Sequence, residues 1–228
     1  MSDPNLPLLE DAVRKHERFL DEIVFVGGIT LGLLITDQAA PPIRGTKDVD
    51  VIAEIVTYAD YIAFSKRLRD AKFHEDEGEE PIICRWHNGH LTLDVLALRE
   101  EVLGFTNIWY EPALRYASEF TLPGGQSIRL ITAPFFLGTK MEAFRGRGRM
   151  DFQASHDLED FVAVIEGRDT LLQEIEESPP ELRRYLADAA KSLIQETRFL
   201  DVLPGFVLDS ERVPLILDRL DAIAAGIS

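Results

Sequence analysis

The eight residues Arg44-Gly45-Thr46-Lys47-Asp48-Val49-Asp50-Val51 constrain this chain more than any other stretch. They read as a turn running into a strand. Side chains alternate across a strand, so Asp48 and Asp50 share one face while Val49 and Val51 take the other. With Ile52 following, the strand is too apolar to stand free, and its valine face belongs against a core. The two carboxylates then lie roughly 6–7 Å apart along the strand. Hard oxygen donors at that spacing can grip one Mg²⁺ or share two. Alternating acids also occur on the open face of ordinary strands, so the triplet alone is a weak signal.

Two further stretches strengthen it. Upstream, Ile23-Val24-Phe25-Val26 is a short apolar strand that ends in Gly27-Gly28, and Ile29 to Ile35 reads as the start of a buried helix. Glycines between strand and helix let a phosphate approach backbone amides and the positive end of a helix. Downstream, Leu91-Thr92-Leu93-Asp94-Val95-Leu96 is a strand in which Asp94 is the one charge. Its apolar flanks predict burial, and a buried carboxylate needs a partner or a cation.

Taken together, Gly27-Gly28, Asp48-Val49-Asp50 and Asp94 resemble the pattern of the polymerase-β-like nucleotidyltransferase superfamily. The form Arg44-Gly45-Thr46-Lys47-Asp48-Val49-Asp50 is similar to the AbiEii-like, toxin-type nucleotidyltransferases. Twenty positions separate Gly28 from Asp48, a longer gap than in minimal members. Lys140-Met141-Glu142-Ala143, followed by the segment holding Asp157 and Asp160, matches that family's Lys-x-x-Ala helix and later Asp-bearing helix. The resemblance spans roughly residues 23–168. It implies an α+β nucleotidyltransferase fold: a mixed β-sheet flanked by helices, with a C-terminal helical lobe.

Composition narrows the class. A chain of 228 residues with 46% hydrophobic content can bury a full core in one large or two smaller units. The formal net charge of −16 speaks against a general nucleic-acid binder, though not against a local basic site. A single cysteine, Cys84, rules out an intrachain disulfide framework and fits a reducing compartment. No signal-peptide pattern opens the sequence and no apolar run reaches membrane-span length. The expectation is a cytoplasmic protein that does not enter a membrane.

Along the chain, helices are expected at 7–20 and 57–71, the latter carrying Tyr61, Phe64 and Leu68. Residues 82–86 and 91–98 read as a strand pair around His87-Asn88-Gly89, because Asn-Gly is a strong hairpin signal. A second pair is expected at 119–122 and 126–131. From Thr132 the pattern turns helical, so the chain divides into an α/β core over 1–131 and a helical lobe over 132–228. Ser155 caps a helix with Leu158, Phe161, Val162 and Ile165 as its buried stripe. Further helices are expected at 181–199 and 210–225. Between the first two helices of the lobe, Arg145-Gly146-Arg147-Gly148-Arg149 reads as a basic, flexible link.

The chemistry that the resemblance implies is transfer of a nucleotidyl group from a nucleoside triphosphate to an acceptor. Asp48, Asp50 and Asp94 would hold Mg²⁺ or Mn²⁺, with Asp94 also orienting or deprotonating the acceptor hydroxyl. Lys140 would neutralise phosphate charge. Gly27, Gly28, Thr46, Arg44 and Asp157 would bind the nucleotide. The family implies an RNA such as tRNA, or a protein, as acceptor, and the toxin role of a toxin–antitoxin pair with an antitoxin partner. Two other readings stay open: an enzyme that modifies a small cationic antibiotic, which suits the acidic charge, and a catalytically silent NTP-binding module.

Overall fold

The computed structural model describes residues 3–146 and 150–226, the side chains of 16–18 excepted. The chain forms two compact units. One holds Arg44–Thr132 and the chain up to Gly32; the other holds Leu33–Ile43 and Ala133 onward.

The first unit is built on a seven-stranded mixed sheet. Its strands are β1 (Ile23–Val26), β2 (Asp48–Ala53), β3 (His74–Glu75), β4 (Arg85–Asn88), β5 (Leu91–Leu96), β6 (Ser118–Thr121) and β7 (Ser127–Leu130), in the order β3-β4-β5-β2-β1-β7-β6. β2 runs antiparallel to β1 and parallel to β5, so the acidic strand is paired on both edges. Val49 and Val51 are fully buried, as the alternation of the strand requires, while Asp48 and Asp50 keep partial access to solvent. The β4–β5 hairpin turns at Gly89, whose φ of +64° is the left-handed geometry that glycine accepts without penalty.

Helix α1 (Leu6–His16) rests on β2 and β5 and buries Leu9, Ala12 and Val13. It is shorter than expected, because the chain passes into a 3-10 segment over Glu17–Glu22. At the glycines come a 3-10 turn (Gly28–Thr30) and the single-turn helix α2 (Leu31–Leu34), where the start of a buried helix was expected over Ile29 to Ile35. Helix α3 (Tyr58–Asp70) starts at a complete capping box: the Thr57 hydroxyl accepts from the Asp60 amide, and the Asp60 carboxylate accepts from the Thr57 amide. Two short helices, α4 (Glu100–Leu103) and α5 (Tyr110–Arg115), complete this unit.

The second unit is helical: α6 (Ala133–Arg145), α7 (His156–Gly167), α8 (Leu171–Glu176), α9 (Pro180–Gln195), α10 (Thr197–Phe206) and α11 (Val213–Ala224). α6 packs on α7 and α9, and α11 packs on α9 and α7. The Ser155 hydroxyl accepts from the Leu158 amide and so caps α7. The helix expected over 181–199 is two helices, because Glu196 adopts an extended backbone and its carboxylate accepts from the Arg198 amide.

The helical unit takes up the chain from Ala133, and the segment Leu33–Ile43 belongs to it as well. Polar bonds fasten it there. The Thr36 and Asp37 amides both donate to the Gly167 carbonyl at 2.9 Å. Arg168 donates to the Leu34 carbonyl at 2.8 Å, and Arg212 bridges Asp37 and the buried Glu166. A Cβ on Gly167 would stand 2.8 Å from the Ile35 side chain, so this close approach needs glycine.

Candidate active site

The register of the central strands sets the geometry. Asp50 on β2 pairs with Asp94 on β5, and Asp48 pairs with Thr92. Paired residues of neighbouring strands project to the same face, and so do residues two apart on one strand. Asp48, Asp50 and Asp94 therefore all rise from one face of the sheet. On β4, Arg85 pairs with Asp94 and His87 with Thr92. Two lateral rows result: Arg85, Asp94, Asp50, and beside them His87, Thr92, Asp48.

The loop before the acids is held to the glycine turn by a residue that sequence reasoning missed. Asn5 is 1% exposed. Its amide nitrogen donates to the carbonyls of Gly28 and Arg44, both at 3.2 Å, and its oxygen accepts from the Thr46 amide at 2.9 Å. One buried side chain thus ties the end of β1 to the turn that enters β2. Nothing in the local sequence announces it, because its partners lie up to 41 positions away.

Gly27 takes φ +70° and ψ −168°, a region open almost only to glycine. A Cβ there would fall 2.0 Å from Asp50 Oδ2, so the bare backbone of Gly27 lies directly against the Asp50 carboxylate. Gly28 opens the 3-10 turn, which the Thr30 amide and hydroxyl close on the Gly27 carbonyl at 3.1 and 2.8 Å. Where the sequence reads as the start of a buried helix over Ile29 to Ile35, the chain makes a 3-10 turn and one helical turn. Thr46 donates its hydroxyl to Asp48 Oδ1 at 2.8 Å, and Arg44 is exposed beside it in sequence.

A cation already stands among the acids. Arg85 Nε donates to Asp94 Oδ1 at 2.8 Å and its Nη2 to Asp94 Oδ2 at 2.7 Å, a bidentate pair. The same Nη2 reaches Asp48 Oδ2 at 3.2 Å. The hydrogen bond with Asp94 pushes the Arg85 guanidinium further above its ordinary range. Sequence reasoning missed Arg85: an Asn88-Gly89 turn would set it opposite Thr92, whereas the chain turns at Gly89-His90, pairs Asn88 with Leu91 and so sets Arg85 opposite Asp94. The neighbouring Cys84 is buried, and that burial, with the charges of Asp94 and Asp50, pushes its thiol up to about 12. It is therefore inert at neutral pH.

Three carboxylates and a threonine hydroxyl on one face suit a hard divalent cation in chemistry and in facing. As they stand, Asp94 and Asp48 are bound to a guanidinium. Among the described residues, no three His, Cys, Asp or Glu side chains are gathered closely enough to hold a metal ion.

Lys140 and Asp157 belong to the helical unit and meet each other there. Lys140 Nζ lies 3.1 Å from Asp157 Oδ1 and 2.7 Å from Asp160 Oδ2, with the Phe136 ring 5.5 Å away. Lys140 is 8% exposed and Asp160 1%. The ammonium is thus matched by two carboxylates of α7. Arg145 lies over the Tyr185 ring at 5.1 Å. Arg147, Gly148 and Arg149 of the basic link lie outside the described residues.

No protein-family model matches the sequence, and no curated protein matches it. Solved structures similar to the chain include an antigenic nucleotidyltransferase-like protein from Paracoccidioides brasiliensis, at TM-score 0.46 and 16% identity over 93% of this chain and 98% of that one. Another is JHP933 from Helicobacter pylori, at TM-score 0.49 and 14% identity over 99% of this chain and 94% of that one. Among the described residues, no helix is long and apolar enough to cross a membrane.

Proposed function

We propose that this chain transfers a nucleotidyl group from a nucleoside triphosphate to an acceptor, at the polar face formed by β2 and β5. The observation that carries this reading is the pairing of Asp50 with Asp94, with Asp48 on the same face and the Gly27 backbone against Asp50. Beside a side-chain-free turn, amides could donate to phosphate oxygens next to carboxylates that could ligate a metal ion. Asp48, Asp50 and Asp94 would hold Mg²⁺ or Mn²⁺. The chemistry that such an ion would supply is charge screening of the triphosphate and of the oxygens that attack and leave. The amides of Gly27 and Gly28 donate to phosphate oxygens, and Arg44 and Thr46 border the same turn. Asp94 orients the acceptor hydroxyl and takes its proton.

Lys140 and Asp157 enter this reading as a charge pair. A phosphate role for Lys140 requires it to leave two carboxylates, one of them fully buried. The acceptor follows from the AbiEii-like resemblance: an RNA such as tRNA, or a protein, with the chain acting as the toxin against a cognate antitoxin. The net charge of −16 favours a second reading, a small cationic acceptor. Incubation with each α-phosphate-labelled NTP, Mg²⁺ and, separately, total RNA, cell protein and a cationic aminoglycoside distinguishes them. Label in RNA or protein supports the first reading, and label in the aminoglycoside alone supports the second. For the toxin role, induced expression of the wild type arrests growth while Asp50→Asn does not. Equal growth of both cultures removes that role.

A further inference from the structure

Two arginines of the helical unit stand apart from its other charges. Arg168, Arg198, Arg212 and Arg219 of that unit each face a carboxylate. Arg183 and Arg184 of α9 have neither an ion pair nor a hydrogen bond among the described residues. The chain carries 40 acidic residues against 24 basic ones, so acids to pair with them are not in short supply. Arg183 Nε is shut off from solvent and still lacks an acceptor, and a buried donor without a partner is destabilising. α9 starts at Pro180, so both arginines sit toward its positive end, where a cation gains least. Both line one cleft of about 340 Å³, walled also by Ile175 of α8, Pro180 and Ala187 of α9 and Ile223 of α11. No carboxylate lines it among the described residues.

We propose that this cleft binds a small, soluble organic phosphate. Arg183 and Arg184 hold the phosphate, and the apolar body of the ligand rests on Ile175, Pro180, Ala187 and Ile223. Two guanidiniums without a counter-charge make the cleft a positive spot on an acidic molecule. A phosphate monoester carries close to two negative charges and answers both, whereas a carboxylate answers one. Its oxygens also match the donor fork of a guanidinium. By turning its Nε and Nη edge to the ligand, Arg183 gains the acceptor it lacks. The volume is at the lower end of that of small-molecule sites, about 300–1,000 Å³. Every wall belongs to the helical unit, so the proposal is independent of nucleotidyl transfer at β2 and β5.

Isothermal titration of the full chain with phenyl phosphate at low salt tests this. The wild type should bind saturably at one site. Arg183→Gln and Arg184→Gln should each weaken binding about tenfold, and the double variant should lose it. Arg198→Gln, which removes an arginine already paired with Glu196, should leave it unchanged. Inorganic phosphate, which lacks the apolar body, and benzoate, which lacks the second charge, should both bind more weakly. Without ligand, Arg183→Met should melt no lower than the wild type, because the unpaired donor is gone, and phenyl phosphate should raise the melting temperature of the wild type but not of the double variant. No saturable binding by the wild type, or equal affinity in the double variant, overturns the proposal. Inorganic phosphate binding as tightly as phenyl phosphate overturns the role of the apolar wall. Sedimentation with phosphatidic-acid vesicles that the double variant loses, without binding of phenyl phosphate, assigns the cleft to a lipid headgroup and overturns the soluble ligand.

Discussion

At the scale of single residues, the site depends on two whose side chains take no part in the proposed reaction. Gly27 lets the backbone touch Asp50, and any side chain there meets both a forbidden backbone region and the Asp50 carboxylate. Gly27→Ala should lose about 1–3 kcal/mol of stability, read from urea unfolding. A variant as stable as the wild type would show that the turn relaxes and that Gly27 does not press on Asp50. Asn5 makes three bonds to backbone groups from a fully buried position. Asn5→Ala strands those partners and should cost about 1–3 kcal/mol by the same measurement. The glycine was legible, because strand-Gly-Gly is a local pattern. Asn5 was not, because a side chain that bonds distant backbone leaves no periodicity. The acids were legible by alternation alone, and Arg85 was not, because its partner depends on where the hairpin turns.

At the scale of elements, α6 and α7 are joined by the Lys140–Asp157–Asp160 triad. Lys140→Met takes that ammonium away from Asp157 and the buried Asp160 and should cost about 3–5 kcal/mol. The double variant Lys140→Met with Asp160→Asn should recover part of that loss. If Lys140→Met unfolds like the wild type, the triad does not hold the helices together, and a phosphate role for Lys140 gains weight. Element type was legible wherever a cap or turn residue marks it, as at Thr57, Ser155 and Asn88-Gly89. The break at Glu196 was not. No glycine or proline stands there, and the end of α9 is set by one extended residue whose own carboxylate caps α10. Pro204 lies inside α10, where a proline rule would have ended the helix. The long-range fastening of 33–43 also escaped the sequence, since it depends on Arg168 and Arg212 finding partners more than a hundred positions away.

At the scale of the whole molecule, acidity sets the response to pH. Asp37 is held below its ordinary value by Arg212, and Glu111 by Arg99. Each binds fewer protons folded than unfolded, so its contribution is fully present above the unfolded value and is lost as pH falls through the folded one. Burial pushes Asp3 the other way, so its contribution is present below its unfolded value of 3.8 and is lost as pH rises through the folded one. Thermal unfolding should therefore show a falling midpoint below pH 3.8, the ordinary value for Asp37. Asp37→Asn should flatten part of that acid limb, whereas Asp3→Asn should act only above pH 3.8. A midpoint that rises steadily to pH 3 would contradict these signs. The central claim concerns the face that carries Asp48, Asp50 and Asp94, and its most direct test follows phosphorus. The protein is incubated with Mg²⁺, an accepting extract and NTP labelled either at the α- or at the γ-phosphate, with Asp50→Asn in parallel. Nucleotidyl transfer predicts that α-label becomes fixed to an acceptor while γ-label leaves as pyrophosphate, and that Asp50→Asn fixes neither. Fixation of the γ-label, or equal fixation of the α-label by Asp50→Asn, would contradict it.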